Sequence, residues 1–164
     1  MAGLELRDYQ YELCEVPIVS TPWRKTGWAI IDGPFFGIMP FGFSRNHLFY
    51  DVELSVLERI VGKLPIFKKS LEYYDQKKRR LERYNKWVKK WKPWFPGVEK
   101  CQPVSSMYVT RIVLPKKEKT DARPTVVEEV APGFWQIFSG KITMSVPRTA
   151  ELAESVHHFL KKNK

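Results

Sequence analysis

The sequence predicts an α+β protein, built from an antiparallel sheet, one long basic amphipathic helix and a C-terminal strand, turn and helix. Three observations predict it. Apolar and polar residues alternate in short segments broken by Gly, Pro and Asp, first between Tyr9 and Leu54 and again between Ser106 and Phe138. Between these regions, the stretch from Lys68 to Lys92 repeats its apolar residues in steps of three, four or seven. A second periodic stretch, from about Pro147 to Lys161, closes the chain.

Taken in order, Tyr9, Tyr11 and Leu13 alternate with Gln10 and Glu12, which sets one face of a first strand against a core. Trp28 to Ile31 is a second strand, and Asp32, Gly33 and Pro34 supply the turn after it. Phe35 to Phe41 is a third, limited by Gly37 and Pro40 to an edge or to a place of close backbone approach. In His47 to Leu54, Leu48, Tyr50, Val52 and Leu54 face one way while His47, Phe49, Asp51 and Glu53 face the other. Apolar residues recur at Phe67, Leu71, Tyr74, Leu81, Tyr84, Val88, Trp91 and Phe95, interrupted only by Lys78, and form the stripe of the long helix, with Phe67 and Phe95 just beyond its ends. Pro65 lies before its start, and Pro93 and Pro96 close it, because proline fits a first turn but not a helix interior. Ser106 to Leu114 is a further strand, and Thr125 to Val130 and Phe134 to Phe138 form a hairpin around Ala131, Pro132 and Gly133. The last helix turns Ala150, Leu152, Ala153, Val156, Phe159 and Leu160 inward, with Pro147 in its first turn.

Composition bounds the function. The chain has 164 residues, 43% hydrophobic and 28% charged, as packed domains do, so disorder and collagen-like repeats are excluded. Its longest uncharged run, the twelve residues from Gly33 to Ser44, falls short of the roughly 20 apolar residues of a membrane span. Glu5, Arg7 and Asp8 interrupt the opening segment, so a secretory signal is not expected and the cytoplasm is the default location. Cys14 and Cys101 stand apart from each other and from any histidine cluster, which makes buried, inert thiols the expectation and leaves no metal site or disulfide framework to expect.

The net charge of +10 is concentrated rather than spread. Lys68 to Lys92 holds eleven Lys or Arg against Glu72, Asp75 and Glu82, which accounts for eight of the ten positive charges. Two readings are open for this segment. It is a helix that solvates its cations and packs its stripe, or it is a charge-steered surface for nucleic acid or an acidic partner, with Trp87, Trp91 and Trp94 as stacking groups.

The stretch from Phe134 to Ala150, FWQIFSGKITMSVPRTA, carries the most chemistry. A strand, a glycine turn and a helix start form a cradle in which Gly140 admits a flat ring and free N–H groups favour negative charge. A purely structural turn is the other reading.

SGKIT followed by an Ala-containing amphipathic helix resembles the C-terminal flavin-contacting segment of FAD-dependent oxidoreductases of the D-amino-acid oxidase and glycerol-3-phosphate dehydrogenase type, where a G-G-K-[LI]-T-T stretch meets the isoalloxazine edge. DARP at Asp121 to Pro124 is similar to their G-x-R-P stretch, and DGPFFGIMPFG and NHLFYDVELSV resemble their antiparallel substrate-domain sheet. The resemblance runs from about Tyr9 to Phe159. Ser139 replaces the first glycine of the C-terminal motif, Met144 its second threonine, and Asp121 and Ala122 stand before the Arg-Pro pair.

The resemblance implies a substrate-domain-like sheet and helix over 1–120 and the C-terminal part of an FAD-binding domain over 121–164. It implies flavin contact through Ser139, Gly140, Lys141, Ile142 and Thr143, and hydride removal from a small amine or hydroxy substrate. Arg123 or Arg111 would clamp a carboxylate or phosphate of that substrate, with Tyr50 and His47 as further candidates from the sheet. Each has a plainer alternative: Arg123 and Arg111 as surface ion-pair partners, His47 as a solvated strand residue, and His157 and His158 as groups that complement a helix C-terminus. None of the nine glycines lies in a G-x-G-x-x-G pattern, so the resemblance further implies that a separate chain supplies the dinucleotide-binding half.

Overall fold

The computed structural model describes residues 7–31, 35–115, 124–138, 140 and 142–163. The chain divides into two compact units, Gln10–Ile112 and a second formed by residues 113–164 with the residues before Gln10. Antiparallel sheets and helices make up both, as an α+β reading requires.

In the larger unit, β1 (Tyr9–Ser20), β2 (Trp28–Ile30), β3 (Phe36–Pro40), β4 (Asn46–Asp51) and β5 (Val56–Gly62) are joined in the order β2-β3-β4-β1-β5. After the helices, β6 (Gln102–Val113) also pairs with β1. The meander register is set by pairs such as Ile38 with Phe49 and Val19 with His47. β1 is therefore the hub of the sheet, and it is buried along almost all of its length on both faces. That departs from the expectation of one solvated face at Gln10 and Glu12.

The segment expected as one long helix is two, α1 (Leu71–Asp75) and α2 (Lys77–Trp91), broken at Gln76, whose ψ of 127° is extended. The side chain of Arg83 reaches back to the break. Its Nη2 donates to the Tyr74 carbonyl at 2.7 Å and gives that oxygen a partner where the helical ladder is interrupted. Ser70 caps α1 by accepting from the Tyr73 N–H.

α2 lies over one face of the sheet. Tyr84, Trp87 and Trp91 pack with Val19, Phe36, Ile38, Phe49, Val98 and Cys101, and Phe36 stacks on Trp91 with centroids 3.7 Å apart. Asp51 ties this layer together at the end of β4. It accepts from the Trp91 indole at 2.8 Å and from the Glu53 and Leu54 N–H groups at 2.9 Å each, and it pairs with Lys90 at 3.0 Å. The same turn ends the strand at Asp51, three residues short of the expected Leu54.

In the smaller unit, β7 (Val126–Ala131) and β8 (Phe134–Phe138) form the expected hairpin, with a register shift between Glu129 and Ala131. Gly133 holds φ at +77°, and a Cβ there would sit 3.2 Å from the Phe159 ring, so both conformation and space demand glycine. A 3-10 turn at Ile142–Met144 leads into α3 (Ser145–Lys162). Phe159 meets Trp135 edge-on at 5.5 Å, yet α3 buries none of its described residues. Among the described residues, no helix is long and apolar enough to cross a membrane.

Candidate functional site

Successive residues of β1 point to opposite faces, so Glu12 lies on the face away from Glu15 and Val19, which meet α2. Glu12 is only 2% exposed. A carboxylate so buried is stable only when its charge and its lone pairs are answered. Two neighbouring strands and β1 itself answer them. Arg59 on β5 donates Nε to Oε1 at 2.9 Å, and Arg111 on β6 donates Nε to Oε2 at 2.7 Å with its Nη2 on the same oxygen. Gln10 adds a bond to Oε1 at 3.1 Å. From β4, Tyr50 accepts from Arg111 Nη1 at 2.5 Å.

The protonation states follow from this geometry. Burial alone would raise the Glu12 carboxyl, but the hydrogen bonds from Arg111 and then Arg59 outweigh it and hold the group below its ordinary range. Burial works against the Arg111 charge in the same way, and the bond to Glu12 overrides it, so the guanidinium is held more firmly protonated.

The cluster does not balance. One carboxylate faces two guanidiniums, which leaves a net charge of +1. Arg59 is also half out in solvent, with 53% of its side chain exposed, and among the described residues only its Nε is engaged. A fork with two unused N–H edges, beside an arginine fixed from behind by a buried carboxylate, is suited to a carboxylate or phosphate. Compared with family models, curated proteins and solved structures, the chain matches none.

Of the residues singled out in the sequence, Tyr50 and Arg111 are in contact. Arg123, Ser139 and Lys141 lie outside the described residues, as do the turn residues Asp32 to Pro34. Gly140 belongs to the smaller unit, where its N–H donates to Thr125 Oγ1 at 3.0 Å; the Ile142 and Thr143 backbone forms part of the 3-10 turn, and Thr143 is exposed.

Two expectations need correction. His47 is neither solvated nor at a surface: it is 1% exposed, with Nδ1 2.8 Å from the Thr21 hydroxyl, and burial lowers its proton affinity. Trp87 and Trp91 are core residues and are closed to base stacking, while Trp94 is exposed. The basic segment also uses part of its charge internally, since Arg80 pairs with Asp75, Arg83 with Glu15 and Lys90 with Asp51 and Glu53. Both cysteines are buried, and burial raises both thiols, that of Cys101 to about 11.

Glu12 and Arg59 were not legible as site residues. Glu12 occupies the polar position of an alternating strand, where a solvated face is the ordinary reading. Its partner Arg111 lies 99 residues away in sequence.

Proposed function

We propose that this chain is part of an FAD-dependent oxidoreductase that oxidises a small amine or hydroxy substrate carrying an anionic group, by hydride transfer to flavin. The observation that carries the reading is the surplus positive charge at Arg59 and Arg111, held on the sheet by the buried Glu12 with Tyr50 beside Arg111. Substrate oxidation of this type needs the anionic end fixed so that the reacting C–H is presented in one orientation, and two guanidiniums of limited freedom supply such a fixed point. Glu12 sets their position and prevents the pair from repelling; the Tyr50 hydroxyl sets the plane of Arg111.

For the cofactor, the fit is partial. The Gly140 N–H is committed to Thr125 and does not serve a ligand. The start of α3 has no side-chain cap, but a 3-10 turn runs into it and Pro147 has no N–H, so few of its first backbone groups remain to face negative charge on a reduced ring. Gly140, Ile142 and Thr143, with Ser139 and Lys141, are the residues proposed to hold FAD, and bound flavin would supply the hydride acceptor. Arg123 is proposed as a further anion-binding group.

The buried indoles and the internally paired cations of the basic segment favour this reading over nucleic-acid binding. The test is the absorbance spectrum of the chain co-purified with a chain that carries a dinucleotide-binding half. The expected result is a yellow complex whose flavin bands bleach with a small amino or hydroxy acid. A colourless complex that takes up no added FAD overturns the proposal.

A further inference from the structure

We propose that the cleft between the α1–α2 elbow and the turn that joins β4 to β5 binds a small organic anion with an apolar body, an aryl or alkyl carboxylate. The cleft has a volume of about 360 Å³, at the small end of the roughly 300–1,000 Å³ that ligand sites occupy. Three independent features of its lining ask for such a molecule.

First, Trp87 lines the cleft, is 1% exposed, and carries a buried indole N–H with no acceptor among the described residues. Buried donors are rarely left so; this nitrogen is closed to solvent, and a carboxylate oxygen that enters as the cleft lining shifts would satisfy it. Second, the cleft is bordered by two cations that are open to an anion. Arg83 is matched by Glu15, and Glu53 shares Lys90 with Asp51, whereas Arg79 and Lys86 form no ion pair among the described residues. Arg79 is fixed in place, with its guanidinium 3.9 Å from the Tyr73 ring centre and its Nε bonded to Gln76 at 3.0 Å. Third, Leu54, Val56 and Leu57 give the opposite wall an apolar surface that rewards a hydrocarbon body and not a bare inorganic ion. The inference does not depend on the oxidoreductase reading, since it uses none of the residues of the Glu12 cluster.

The test is an NMR titration of the full chain, labelled with nitrogen-15, followed at the indole N–H resonances of its six tryptophans, with that of Trp87 assigned from the Trp87→Phe variant. The probe is 3-phenylpropionate, and 3-phenylpropanamide is its uncharged counterpart. The expected result is a saturable shift of the Trp87 resonance with the carboxylate, about tenfold weaker binding of the amide, and about tenfold weaker carboxylate binding in Arg79→Ala and Lys86→Ala, each tenfold step being the loss of one modest charge-assisted contact. A Trp87 resonance that does not move, an amide that binds as well as the acid, or surface variants with unchanged affinity each overturn it. The two surface variants leave the core intact, and their affinities are read from whichever indole resonance shifts on titration, so the comparison stands even where Trp87→Phe fails to fold.

Discussion

Glu12 and Glu15 sit three residues apart on β1, both almost fully buried, both paired with arginine, and they do different work. Glu15 faces the α2 layer, where it accepts from Arg83 and, at 2.5 Å, from the Ser106 hydroxyl. One negative charge meets one positive charge, and Arg83 also holds the Tyr74 carbonyl and the Tyr108 hydroxyl through Nη2. Glu12 faces the other way and meets two arginines, one of them half exposed. The lesson is one of stoichiometry: a closed pair fastens elements together, whereas an unbalanced pair that reaches solvent keeps capacity for a ligand. Burial of the carboxylate alone does not distinguish them.

The comparison breaks most sharply at Glu15. Replacing it with Ala leaves the Arg83 guanidinium, only 18% exposed, without a counter-charge at the point where the helical segment is broken. Losing one partner of a buried pair costs about 3–5 kcal/mol. We expect Glu15→Ala to lower the urea midpoint by a corresponding amount, and the double variant with Arg83→Met to recover most of it, because no charge is then stranded. A double variant as unstable as the single one would mean that the helical break and not the ion pair sets the cost.

At Glu12 the same logic predicts a smaller loss and a larger functional effect. Glu12→Gln strands two guanidiniums, but Arg111 keeps 29% and Arg59 53% of its side chain in contact with water. Solvent screens the repulsion, so about 1–2 kcal/mol is expected. The pH dependence has a definite sign. The folded carboxyl titrates below its ordinary 4.5, so its stabilisation is fully present above that value and disappears as pH falls through the lower, folded value. Urea unfolding of the two proteins should therefore differ at pH 6 and converge in strong acid. A gap that persists at the acid end would show that Glu12 acts through shape and not charge.

His47 extends the reasoning to a single buried group. Burial holds its proton affinity below the ordinary 6.5, so the unfolded chain takes up a proton first as the solution becomes acidic. Folding stability should fall below pH 6.5, and His47→Gln should flatten that part of the curve. A variant whose stability keeps the parental slope between pH 7 and 5 would assign the slope elsewhere.

How much of this was legible in the sequence differs between backbone and site. Alternation at Tyr9 to Leu13, the Pro-Gly hairpin turn and the spacing of α3 report local geometry, and local geometry is what period and turn chemistry encode. β5 escaped because Glu58 and Arg59 interrupt its apolar residues and mask the strand pattern. The break at Gln76 escaped because the contacts that surround it, from Arg83 to the Tyr74 carbonyl and to Glu15, join residues far apart in sequence; the interruption of the stripe at Lys78 was its only trace. Trp87 sits on the same face as Tyr84 and Trp91 by three- and four-residue steps, and reading Val88 as the stripe residue shifted the face by one position. At the site, a family resemblance named Arg111 and Tyr50, but nothing in a single sequence couples Glu12 to an arginine on β6. Such pairing is decided by strand order.

The finest test of the contrast is Tyr50→Phe, which removes one hydroxyl from the open cluster and leaves its charges in place. The Tyr50 oxygen accepts from Arg111 Nη1, and Arg111 remains attached to Glu12 through Nε and Nη2. Because the guanidinium keeps those bonds and its contact with water, a loss of only about 0.5–1 kcal/mol in stability is expected. Function should respond more than stability. If Tyr50 orients Arg111 for an anionic substrate, Tyr50→Phe in a flavin-loaded complex should raise KM about tenfold for a substrate that carries a carboxylate and leave an uncharged analogue unaffected. Equal effects on both substrates would reduce Tyr50 to a packing residue of β4, and the two faces of β1 would then differ in charge balance alone.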